Sequence, residues 1–86
     1  MRTNGARIAV VFLRALPDWS RNTAEGKLWA DVIKSALVAA DKSNERSKEA
    51  RRFLVSDDMK IICNLIGLNF DFAQETIAKH AKWTIE

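Results

Sequence analysis

One cysteine, one histidine and one proline stand among 86 residues, and the shortages close off whole classes of function. A single thiol, Cys63, cannot form an internal disulfide, and no Cys/His cluster exists to hold zinc. His80 is the only imidazole, and no serine, cysteine or carboxylate near it in sequence suggests a triad. No catalytic set can be assembled, so the chain reads as a non-enzyme that needs no metal and no cofactor. The longest apolar stretch, Ile8–Leu16, is broken by Arg14. It is too short to span a bilayer, and no small-residue cleavage site follows it cleanly. The chain is read as cytoplasmic, with no membrane partner. Repeats, low-complexity runs and interdomain linkers are also missing, so residues 1–86 form one domain.

What is present is an ordinary globular composition, 48% hydrophobic and 29% charged, which excludes disorder across the whole chain. A core this small is marginal unless the helices pack well or the chain oligomerises. A homodimer is therefore open, with Ile8–Leu16 packing within the chain or against a second copy. The net charge is +3 and it is unevenly spread. Residues 1–28 and 42–52 are each +3, whereas 29–41, 53–68 and 69–86 are each −1.

Residues 1–6 lack periodicity and read as a flexible arm. Ile8, Val11, Phe12, Ala15 and Leu16 follow a helical stripe, with a short buried strand as the alternative, and Pro17 ends either element. Asp18–Arg21 reads as a connector carrying Trp19. Asn22 and Glu25 have the form of a capping box. Leu28, Trp29, Val32, Ile33, Ala36, Leu37 and Ala40 then form one apolar face of a helix running to about Asp41. Ser43 or Asn44 caps a basic helix over Glu45–Val55, with Ala50, Phe53 and Leu54 inward. Ser56 caps the next helix, and Asp57 and Asp58 in its first turn complement the helix dipole. Its inward face is Met59, Ile62, Cys63 and Ile66, widened by Ile61 and Leu65.

Gly67 is placed to stop that helix in the left-handed region. A turn over Leu68–Asp71 and a last helix over roughly Phe72–Trp83, capped by Asp71 with Gln74, complete the chain. The fold class is all-α: a bundle of four to five helices with a helix-turn-helix-like corner within residues 44–83. In that corner Cys63 is the small residue that lets the second helix cross closely, and Ile77 lies one position late, which predicts a turn one residue longer than the tightest form. An ordinary αα corner has the same pattern.

Leu28-Trp29, Glu49-Ala-Arg-Arg-Phe-Leu54, Ser56-Asp-Asp58 and Cys63-Asn-Leu-Ile-Gly-Leu68 carry a resemblance. The segment Leu28–Ile77 resembles small proteins from phages, prophages and gene-transfer agents of alphaproteobacteria and relatives. That group looks like helix-turn-helix regulators of phage-type genes, and some of its members resemble domains that touch RNA polymerase. The resemblance covers a little over half of the chain and leaves out Ile8–Pro17.

Two functions from different classes follow. The first is a small DNA-associated transcription regulator of phage or mobile-element type. Its last helix would enter the major groove, with Gln74 addressing adenine and Lys79 and Lys82 addressing phosphate. Arg46, Lys48, Arg51 and Arg52 on the basic helix would hold the backbone. The acidic balance of residues 69–86 counts against this, because phosphate attraction supplies most nonspecific affinity. The second is a protein-interaction module, an adaptor for RNA polymerase or an inhibitor of a host protein, with Trp19 and Trp83 as possible anchors.

Overall fold

The first helix, α1 (Asn4–Ala15), exists because its apolar residues recur at helical spacing. Ile8, Ala9, Phe12 and, just beyond its end, Leu16 are buried, so the strand alternative is not realised. The computed structural model describes residues 4–42 and 44–81. Residues 4–6, expected to lie in a loose arm, open α1 instead. Gly5 explains why this is possible: it is buried, and a Cβ there would collide with the Leu37 carbonyl. Only a residue without a side chain lets α1 cross the next long helix this closely.

Pro17 stops α1 and then precedes a four-residue helix, α2 (Asp18–Arg21). The Arg21 guanidinium meets the Asp18 carboxylate at 2.6 Å there. This short element was expected as a connector, and it brings the helices to six among the described residues. The helix α3 (Ala24–Ala40) is capped by Thr23, whose Oγ1 accepts from the Gly26 N–H at 3.0 Å. The cap is one residue later than Asn22.

The buried side of α3 is narrower than its apolar pattern suggests. Ile33, Leu37 and Ala40 are buried and Trp29 and Ala36 are half-buried, while Leu28 and Val32 are exposed. The reason is positional: α3 runs through the middle of the fold, against α1, α2, α4 and α5, and none of these covers its Leu28–Val32 edge fully.

The helices α4 (Glu45–Leu54), α5 (Asp57–Ile66) and α6 (Phe70–His80) complete the all-α fold, and no strand occurs among the described residues. Asn44 caps α4 reciprocally with Ser47, the asparagine side chain accepting from the Ser47 N–H at 3.0 Å and Ser47 Oγ accepting from the Asn44 N–H at 3.3 Å. A single core holds the elements together, with Leu37, Leu54, Met59, Ile66 and Ile77 fully enclosed. No helix of the described residues is long and apolar enough to cross a membrane.

Candidate binding surface

The α5–α6 corner is built from backbone chemistry. Ser56 accepts from the Met59 N–H at 3.3 Å, opening α5 directly after α4. At the other end Gly67 sits at φ 77° and ψ 21°, the left-handed region that costs glycine nothing. The Leu68 N–H reaches back to the Cys63 carbonyl at 2.8 Å and the Gly67 N–H to the Asn64 carbonyl at 3.4 Å. These two bonds with a buried Leu68 make a Schellman stop. Asn69 then caps α6, accepting from the Phe72 N–H at 2.9 Å.

The turn is therefore three residues, Gly67–Asn69, and α6 starts at Phe70. The cap is thus Asn69 and not Asp71, and the turn is shorter than the sequence pattern predicts. Asn69 is the better cap because it precedes the buried pair Ala73 and Ile77 by four and eight residues, which keeps that pair facing the core. Cys63 is fully buried opposite them, and burial pushes its thiol up from 9.0 to about 11. It is a core residue rather than a nucleophile.

Two of the seven expected contact residues are used up by the fold itself. Gln74 is half-buried, and its Nε2 donates to the Leu54 carbonyl at 2.7 Å. It ties α6 to the C-terminal end of α4, so its amide donor is not offered to a base edge. Arg51 turns toward the C-terminal end of α3, its Nε donating to the Ala40 carbonyl at 2.9 Å and its Nη2 to the Lys42 carbonyl at 3.3 Å. These are carbonyls left unpaired where a helix ends, and a cation there also meets the negative end of the helix dipole.

The remaining basic residues point outward but do not converge. Lys48 and Arg52 lie one turn apart on the outer side of α4, both exposed, and Lys48 approaches Glu45 at 3.9 Å. Arg46 stands on the opposite edge of α4. There it borders a shallow groove of about 380 Å³ floored by Val32, Ala36 and Phe53, with Glu49 beside it. Lys79 is exposed on α6 among Asp71, Glu75 and Ala78, so the outer face of α6 is not basic. Lys82 and Trp83 lie outside the described residues.

The residues that sequence reasoning missed are apolar. Ile61 and Leu65, expected to widen the core face of α5, are 56% and 51% exposed. They lie one turn apart on the outer side of α5, and Phe72 in the first turn of α6 is 38% exposed. A signal was available: Met59, Ile62, Cys63 and Ile66 already satisfy one helical stripe, and Ile61 and Leu65 sit on a second stripe with nothing required to cover it. Trp19 is also exposed, and its ring lies over Gly67 together with Pro17.

No protein-family model matches the chain, and no match is found among curated proteins or solved structures.

Proposed function

We propose that this protein is a protein-interaction module of the phage-regulator type, acting as an adaptor or inhibitor of a host protein such as RNA polymerase. The reading is carried by the outward pair Ile61 and Leu65 on the first helix of the corner. Large aliphatic side chains left more than half exposed, one turn apart, present the i, i+4 ridge by which a helix lies against a partner. Asp57 and Asp58, exposed in the first turn of α5, lie four and three residues before Ile61 on the same helix and outnumber the neighbouring cation Lys60, which favours a partner surface with an apolar centre and a basic rim.

The same geometry weakens base readout, since Gln74 is committed to Leu54 and the α6 surface mixes Asp71 and Glu75 with Lys79. The test is a co-purification from nuclease-treated host lysate, comparing the wild type with Ile61→Ser plus Leu65→Ser. Retention of one stoichiometric protein by the wild type and its loss from the double variant supports the reading. Equal capture by both, or capture of nothing, ends it.

The DNA-associated regulator is the second reading, favoured by one observation: Lys48 and Arg52 form an outward cation pair on α4. Such a pair meets phosphate and not base edges. Fluorescence anisotropy with mixed duplex DNA at low salt separates the two readings. Binding that is abolished by Lys48→Glu plus Arg52→Glu and untouched by Ile61→Ser plus Leu65→Ser would place DNA first.

A further inference from the structure

A cleft of about 370 Å³ opens between the C-terminal half of α1, the helix α2 and the first turns of α3. It involves none of the residues of the α4–α6 corner. Its walls are Val10, Leu13, Leu16 and Ala30, and its charged lining is Arg14, Arg21 and Lys27, with no carboxylate among the lining residues. Arg21 is occupied by Asp18. Arg14 and Lys27 are exposed, come from opposite walls, and have no ion-pair partner among the described residues.

The second observation is independent of the charges. Ser20 also lines this cleft. Its residue is fully buried, and its Oγ has no hydrogen-bond partner among the described residues. An enclosed hydroxyl without a partner is unfavourable, and the cleft is the open space beside it. An apolar wall, two uncompensated cations and an unsatisfied hydroxyl around one opening form a recognisable ligand chemistry: anionic oxygen at one end and hydrocarbon at the other.

We propose that this cleft binds a soluble small molecule with an anionic oxygen head, a carboxylate or phosphate monoester, on a short aliphatic body. The body lies against Val10, Leu13, Leu16 and Ala30. The head is held between Arg14 and Lys27, and the Ser20 hydroxyl, closed over by the cleft floor, donates to a head oxygen once that floor yields on binding. The proposal stands apart from the protein-interaction reading, which rests on α5.

The test is a two-dimensional NMR titration of the full chain with octyl phosphate, with inorganic phosphate and 1-octanol as comparators. The expected result is that octyl phosphate shifts the amides of Val10, Leu13 and Ala30 and binds at least about tenfold more tightly than either comparator. Arg14→Gln plus Lys27→Gln should weaken it by about tenfold or more, roughly one tenfold step for the lost charge-assisted bonds, with thermal melting unchanged. Ser20→Ala should fold with undiminished stability and bind octyl phosphate several-fold more weakly. Four results overturn the proposal: equal binding of octyl phosphate and octanol, equal binding of inorganic phosphate, shifts confined to other parts of the chain, or binding to anionic lipid vesicles without binding to soluble octyl phosphate.

Discussion

The Gln74 side-chain nitrogen donates to the main-chain oxygen of Leu54 at 2.7 Å, joining residues twenty apart in sequence. Leu54 is the last residue of α4 and fully buried, so its carbonyl has little recourse to water. Gln74→Ala leaves that acceptor unpaired, and the expected loss of stability is about 1–3 kcal/mol. Chemical denaturation checks it. If the substitution proves neutral, or if it weakens DNA binding with stability intact, Gln74 is not the strut described here.

Arg51 and Arg52 are adjacent and identical in type but differ in task. Arg51 closes the end of α3 through the Ala40 and Lys42 carbonyls, whereas Arg52 is exposed on the outer side of α4. Arg51→Ala should cost about 1.5–3 kcal/mol, since the bonds it loses have a charged donor. Arg52→Ala should stay within about 0.5 kcal/mol, as for other exposed positions. Paired thermal melts at one salt concentration decide it, and equal effects would contradict the assignment.

The all-α class and the stop at Gly67 were legible in the sequence because both depend on local rules, helical periodicity and the left-handed freedom of glycine. Arg51 and Arg52 were not separable, because a helix pattern gives an angle around the axis and not the neighbour at that angle. Only the crossing of α3 over α4 puts carbonyls within reach of one and water around the other. Ile61, Leu65, Leu28 and Val32 were misplaced for a related reason. Apolar type predicts burial only where another element is present to bury it, and the six helices of the described residues leave these stripes uncovered. Ser47 went unnoticed as a cap partner, although Asn44 and Ser47 have capping-box spacing with a serine in place of the usual glutamate.

Gly67 joins backbone and packing demands at one position. Its φ is 77°, and a Cβ there would come within 2.9 Å of Pro17 Cγ and 3.1 Å of Trp19 Cζ2. Gly67→Ala therefore meets both left-handed strain, about 1 kcal/mol or more, and the ring atoms of Pro17 and Trp19 at the start of α2. The expected loss is about 2 kcal/mol. Trp19 fluorescence should shift toward the exposed spectrum, with Trp29 and Trp83 replaced by Phe to isolate it. A melt within 1 °C of the wild type would show that the start of α2 yields freely and does not clamp the corner.

Cys63 supplies the pH dependence. Folding raises its thiol from 9.0 to about 11 through burial, so the native state holds a proton that the unfolded chain releases in that interval. Below pH 9 the thiol is neutral in both states and its contribution to stability is fully present. As pH rises from 9 through 11 the unfolded state is favoured, by a limit of roughly 2–3 kcal/mol. Other groups titrate in the same range, so the measurement is a difference: the stability of the wild type minus that of Cys63→Ala, followed by denaturant unfolding from pH 8 to 11. The difference should be constant to about pH 9 and then move against the wild type. The same burial predicts that native Cys63 reacts with iodoacetamide only through opening of the fold, at a rate that falls as stability rises. A flat difference across the interval, together with alkylation at the rate of a free thiol, would mean that α5 and α6 do not enclose the sulfur.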